Sequence, residues 1–248
     1  MPAKKTPAKK RPRPKPLPKY LMTEDVVRLV SIPDTNTTSG KRNRAIMEIM
    51  LQTGLRSEEV VKLAPGDLDK EHRQVHVRDG KGHKPREIPY PASLDKHLDA
   101  WEEVRPDGNW YFCVTVGKKP YTRTIKGRKE NIKGAGKKPY EREVAGRTDK
   151  MGSTKPGNQL TTTFLRQMVY RYADRAGIRG PGKKISPHVL RHTYATNQLR
   201  AGMPIRHLQE VLGHGSLTVT EVYLHVAPVH IEEHINTWVP PHERERDD

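Results

Sequence analysis

Two arginines, two histidines and a tyrosine, drawn from three separate stretches of this 248-residue chain, are of the types that attack a phosphodiester and hold its charge. The tyrosine is Tyr223, in Leu212-Gly213-His214-Gly215-Ser216-Leu217-Thr218-Val219-Thr220-Glu221-Val222-Tyr223. Upstream stand His188-Val189-Leu190-Arg191-His192-Thr193-Tyr194-Ala195-Thr196 and, earlier still, Thr53-Gly54-Leu55-Arg56-Ser57-Glu58-Glu59. Phosphoryl transfer from a nucleic acid without a metal needs four parts: a nucleophile other than water, cations on the non-bridging oxygens, an acid for the leaving oxygen, and a rigid frame. Arg56 and Arg191 can each make paired hydrogen bonds to phosphate and keep their charge. A phenol ordinarily titrates near ~10, so surrounding cations are needed to make Tyr223 a competent nucleophile. Acidic clusters at metal-ligand spacing are absent from the sequence, which argues against a two-metal nuclease.

Each residue also has a structural explanation. An arginine after Thr-Gly-Leu caps a helix, His188 serves as a packed histidine, a tyrosine on an amphipathic helix is core, and Lys81 in a Gly-rich turn is solvated. His192 and Tyr194 are read here as helix packing or a minor hydrogen bond, outside the chemistry. His225 is read as facing away or packing locally.

The elements that must position these residues follow from periodicity. Thr23 can cap a helix through Val26, Val27, Leu29 and Val30 that stops before Pro33. A second helix is expected over about 41–52, ended by Thr53-Gly54, and Ser57 with Glu58 and Glu59 starts a short one. Val75 and Val77 alternate with polar residues, Asp79-Gly80-Lys81-Gly82 turns, and Arg86-Glu87-Ile88 returns, a β-hairpin with Lys81 near its tip. Leu94, Leu98 and Trp101 predict a helix near 92–104. Residues 117–157 show neither period, and a stretch of that length without structure is functional or disordered. Helices are expected again over about 161–176, 188–201, 204–212, 218–226 and 229–238. The pattern is α+β, mainly α-helical, with a small antiparallel β-hairpin or sheet on one side.

Composition narrows the partner. The formal charge is +17, yet residues 1–19 hold eight Lys/Arg and no acid, and residues 117–157 hold thirteen against four acids. The rest of the chain is formally neutral. Such tracts attract polyanions and gain affinity by counterion release. Residues 1–19 are too proline-rich for helix or sheet and read as a disordered basic arm; 20–240 form the domain, with 117–157 as a flexible basic insertion, and 241–248 are a charged tail. No apolar run is long enough for a membrane span or a signal peptide. Cys113 is a lone cysteine, which leaves no disulfide framework and no cysteine-based zinc site. A cytoplasmic, nucleoid-associated location is expected.

The ordered set, with its spacing, resembles the catalytic domain of the tyrosine recombinase, or phage integrase, family over about residues 21–112 and 158–236. The resemblance rests on His-x-x-Arg-His-Thr-x-Ala-Thr, then Leu-Gly-His, then Tyr223 nine residues after His214, supported by Thr-Gly-Leu-Arg-x-x-Glu and by Gly80-Lys81-Gly82-His83-Lys84. It implies that Tyr223 attacks the scissile phosphate and forms a 3′-phosphotyrosyl link with release of a 5′-hydroxyl. It further implies that Arg56 and Arg191 clamp the non-bridging oxygens and that Lys81 is the general acid, with Lys84 a weaker rival. His188 would assist proton transfer at Tyr223, and His214 would buttress the phosphate. No metal, nucleotide or other cofactor is implied.

Family members join four protomers on two DNA sites, so the implied partners are double-stranded DNA and three further copies; a monomer is compatible with the DNA-free state. The amphipathic stretch 227–240, with Ile231, Ile235 and Trp238, would dock on a neighbour or finish its own core. Two departures stand out. The family's helical core-binding domain is not found ahead of Arg56, and 117–157 replaces a short connection. The arm and the insertion, through Lys118, Lys119, Lys137 and Lys138, are expected to wrap the duplex instead. The preferred activity is site-specific strand exchange; a type IB topoisomerase-like nicking and closing activity, or a DNA-binding protein that no longer cuts, are the alternatives.

Overall fold

The computed structural model describes residues 19–78, 85–117, 121–125, 127–132, 140–151, 153–178, 185–216 and 220–223. Within them the helical expectation holds, with shifted ends. Helix α1 (Thr23–Ser31) has Met22 at its N-cap, so Thr23 is its first residue and not its cap. Helix α2 (Thr38–Thr53) starts three residues earlier than the sequence pattern suggested, because Thr37 Oγ1 accepts from the Gly40 amide at 3.0 Å. It ends at Gly54, whose φ of 68° lies in the left-handed region that glycine reaches without strain. Helix α3 (Ser57–Lys62) follows at once.

A three-stranded antiparallel sheet comes next: β1 (Leu68–Asp69), β2 (Gln74–Val77) and β3 (Arg86–Pro89), in that order. The expected hairpin is β2–β3, and β1 is an addition that sequence periodicity could not supply from two residues. The hairpin tip, with Lys81 and Lys84, lies outside the described residues. A 3-10 turn and α4 (Asp95–Glu102) occupy the place of the helix expected near 92–104. Helices α5 (Thr162–Arg175), α6 (Pro187–Arg200) and α7 (Ile205–Leu212) stand where helices were expected.

Packing is organised around α2 and α6. Ala45, Ile46, Met47, Ile49 and Met50 of α2 are fully buried, and α1, α4 and α6 lie against this helix. Helix α6 is buried on almost every side, from Val189 and Leu190 through Tyr194, Ala195 and Leu199. Such a helix has little amphipathic signature, as expected for one enclosed by neighbours. The far end of α6 joins Leu208 and Leu212 of α7 in a second, smaller apolar cluster, and Tyr223 belongs to it. The nucleophile candidate is thereby tied to α6 and α7 by burial of its ring, worth roughly 1.5–3 kcal/mol.

The insertion overturns the expectation of a stretch without regular structure. Strands β4 (Tyr121–Ile125) and β7 (Arg147–Met151) pair antiparallel, as do β5 (Arg128–Ile132) and β6 (Tyr140–Val144), making one two-stranded ribbon in two ladders. The register sets Arg123 opposite Asp149, Lys129 opposite Glu143 and Glu130 opposite Arg142. The strands escaped periodicity because charged residues occupy both parities of β5, β6 and β7. At the base, the Val114 amide donates to Asn158 C=O at 2.8 Å and the Gly157 amide to Val114 C=O at 2.9 Å. Lys118, Lys119, Lys137 and Lys138, the arm 1–18 and the segment 224–248, including the helix expected over 229–238, lie outside the described residues.

Candidate active site

The loop from α7 toward Tyr223 is held by arginines from three elements. Arg86 on β3 donates from Nε to Val211 C=O at 2.8 Å. Arg191 on α6 donates from Nη2 to Leu212 C=O at 2.7 Å and from Nη1 to Gly54 C=O at 2.7 Å. Arg56, just before α3, donates from Nη2 to Gly213 C=O at 3.0 Å. Three guanidiniums thus grip three consecutive carbonyls where α7 ends. The last carbonyls of a helix lack intrahelical donors and carry the negative end of its dipole, so cations are favoured there. Gly213 completes the turn with φ 62°, and a Cβ there would meet the Arg86 guanidinium at 2.9 Å.

Like charges this close repel, and Glu59 offsets the repulsion. Its carboxylate pairs with Arg56 Nη1 at 3.0 Å and with Arg86 Nη1 and Nη2 at 3.0 Å, and accepts the Arg56 amide at 2.7 Å. Burial alone would raise the Glu59 carboxyl, but its bonds to Arg86 and Arg56 outweigh this and hold it below the ordinary value. Arg191, 4% exposed, is lowered to about 10, first by burial and then by Arg56. It therefore stays charged at neutral pH. Each guanidinium carries five N–H groups, so holding a backbone carbonyl leaves donors for a phosphate.

His214 follows directly. Its Nε2 lies 3.0 Å from Arg191 Nη2 and its Nδ1 lies 2.9 Å from Thr220 Oγ1. Thr220 C=O accepts the Tyr223 amide at 3.0 Å, which closes the turn carrying the phenol. Four of the sequence-predicted residues, Arg56, Arg191, His214 and Tyr223, are therefore brought together through one connected set of bonds. Lys81 lies outside the described residues. His188 is exposed and lines a cleft of about 350 Å³ with Arg56, Ser57, Thr162, Arg166 and Ser186.

Two residues take places at the site that the sequence did not give them. His192, expected to pack or make a minor hydrogen bond, places Nδ1 2.7 Å from the Tyr223 hydroxyl, the reacting oxygen of the expected chemistry. Burial, then His188 and Arg191, lower this imidazole to about 4. Tyr223 is raised by burial, with Arg191 and Arg56 pulling the other way. Tyr194 does pack: its ring lies 2.4 Å from where a Cβ on Gly54 would be. The second is Arg86. Its cross-strand partner Val77 is buried, as are Ile88 and Val75, so strand parity alone puts Arg86 on the inner face.

Comparison with known proteins gives the family and the fold. The family model described as "Phage integrase family" matches residues 19–230. Tyrosine recombinase XerA of Thermococcus onnurineus is 34% identical over 221 residues, covering 89% of this chain and 62% of that protein. Tyrosine recombinase XerC of Listeria welshimeri is 28% identical over 92% of this chain and 63% of its own length. The chain thus spans about three-fifths of the curated relatives it matches. Among solved structures, a XerA recombinase superposes with a TM-score of 0.62 at 26% identity, covering 96% of this chain and 68% of that one. The catalytic domain of bacteriophage HP1 integrase, at 20% identity and a TM-score of 0.54, shares the fold over 92% of this chain and 99% of its own.

Proposed function

The chain belongs to the phage integrase family of tyrosine recombinases, and from that premise we propose that it carries out site-specific DNA strand exchange through a covalent link from Tyr223 to DNA. Tyr223 Oη attacks the scissile phosphorus and the 5′ oxygen leaves, so a 3′-phosphotyrosyl bond replaces the phosphodiester. Arg56 and Arg191 hold the non-bridging oxygens, and His214 fixes the phosphate beside them. Lys81 protonates the leaving oxygen, and His188 assists proton transfer at the cleft. Because the phosphotyrosyl bond retains the energy of the bond it replaces, rejoining to a new strand needs neither ATP nor a metal. The observation that carries this reading is the convergence of both guanidiniums on the Leu212–His214 turn, which the bond from His214 to Thr220 ties to the phenol's own turn.

Duplex DNA enters along the cleft between Arg56, Arg166 and His188. The ribbon β4–β7 and the N-terminal arm extend that grip by phosphate contacts, including Lys84, Lys118, Lys119, Lys137 and Lys138, which position the protein without reading sequence. A two-stranded ribbon is narrow enough for a major groove. Four protomers on two sites complete the exchange, at the nucleoid. A pool of nicked duplexes with randomised centres tests the reading, because the nick lets the cut end escape and traps any adduct. Wild-type protein should yield a denaturation-resistant adduct enriched for one sequence, lost in Tyr223→Phe. No adduct at all would contradict it, and supercoil relaxation without recombinant products would mark a nicking-closing enzyme instead.

A further inference from the structure

Tyr223 is 2% exposed, and a buried hydroxyl proton needs an acceptor. His192 Nδ1 stands 2.7 Å from that oxygen, with the two rings 5.5 Å apart between centroids. The arrangement that satisfies the proton has Nδ1 bare and the imidazole hydrogen on Nε2. Both rings are neutral in this environment: burial, His188 and Arg191 keep the imidazole unprotonated, and burial keeps the phenol protonated. His188, four residues earlier, shares the α6 face but opens on the cleft with Arg56. The histidine in reach of the nucleophile is the one that the sequence assigned to packing or a minor hydrogen bond.

Resting on the cleavage reading above, we propose that His192 is a catalytic residue that orients the Tyr223 oxygen and receives its proton as that oxygen attacks phosphorus. The bond from Oη to phosphorus forms while the Oη proton passes to His192 Nδ1. The bond from phosphorus to the 5′ oxygen breaks, and that oxygen takes its proton from the general acid. Rejoining runs backwards and returns the proton from Nδ1 to Oη. A weak base suffices because an oxygen bonding to phosphorus sheds its proton far more readily than a free phenol. The groups that set the charge of His192 are His188 and Arg191 of its own helix and Tyr223 facing it, with Arg56 acting on Tyr223. A phosphate anion bound by Arg56 and Arg191 raises the imidazole and improves it as a base.

The test uses the full chain and the duplex sequence selected from the randomised pool. His192→Phe keeps the ring volume and removes the acceptor; single-turnover adduct formation should fall about 100-fold, the scale of general-base assistance, with DNA affinity within about twofold of wild type. His192→Asn restores an acceptor at the Nδ1 position and should recover about tenfold of that loss. A packing role predicts no such split between rate and affinity. Independently of DNA, ¹⁵N spectra of the free protein should show His192 as the Nε2–H tautomer, with its Nδ1 resonance moving in Tyr223→Phe. If wild type forms adduct and His192→Phe matches its rate, the proposal is overturned while the cleavage reading stands. If His192→Phe does not fold, a protonated Nδ1 in the wild-type spectrum overturns the proposal and a bare one supports it. Absence of any wild-type adduct sinks both.

Discussion

Around the end of α7, three guanidiniums hold three consecutive backbone carbonyls, and two of them, Arg56 and Arg86, share the Glu59 carboxylate. Along the ribbon β4–β7 the strands pair with each other, and no other described element packs closely on them. Residues 121–151 carry ten Lys/Arg against four acids, so the ribbon too is cationic. The two regions hold the same kind of charge in different ways. In the pocket each cation is fixed by partners before a ligand arrives, so little reorganisation is left for the moment of reaction. On the ribbon the charge is spread along an isolated two-stranded element, a type only marginally stable in water without further packing. Fixed charge suits a transition state at one phosphorus; spread charge suits a backbone of many phosphates. Catalysis and affinity should therefore separate by mutation.

The largest effect is expected in the pocket. Arg191→Ala removes donors from Gly54 and Leu212 and leaves buried carbonyls unpaired, so it should cost about 3 kcal/mol in chemical denaturation and about 1000-fold in single-turnover cleavage. Arg191→Lys keeps charge but not the fork and should remain about 100-fold slow. Arg86→Ala should cost about 2 kcal/mol and slow cleavage about tenfold by loosening the α7 turn. Its effect should be non-additive with Glu59→Gln, since the two share one ion pair.

The ribbon should respond in the opposite sense. Gly117 and Thr154 are adjacent at its base, so 118–153 can be replaced by a two-residue linker. Removing the ribbon should leave the melting curve and the rate at saturating DNA unchanged. The slope of log affinity against log salt should flatten by about 3–6. An unchanged slope would show that the ribbon does not meet phosphate.

The smallest effect concerns pH. The folded state holds His192 at about 4, below its ordinary value of 6.5. The unfolded chain therefore binds its proton first, and stability that is full above pH 6.5 should drain as pH falls toward 4. The loss is about 2 kcal/mol after allowance for the partly open ring. His192→Phe should lack that slope between pH 6.5 and 4 in urea titrations.

Much of this was legible in the sequence. Arg56, Arg191, His214 and Tyr223 stand in local strings whose spacing survives any fold, and α5 and α7 show clear 3.6-residue periods. His192 was not legible as chemistry, because its role depends on a turn 31 residues away that returns the phenol to α6. Arg86 was readable in principle: Ile88, two residues on, marks the inner face of β3. The ribbon was missed because charged residues fall on both parities of β5, β6 and β7, and among the described residues no other element packs closely on it.

The account turns on where the covalent bond forms. Protease digestion and mass spectrometry of the trapped adduct identify the linked side chain and the DNA end that it holds. The account predicts a 3′-phosphate on the peptide containing Tyr223, in a yield that Arg56→Ala and Arg191→Ala both reduce. DNA attached to another residue, or through a 5′-phosphate, would contradict it.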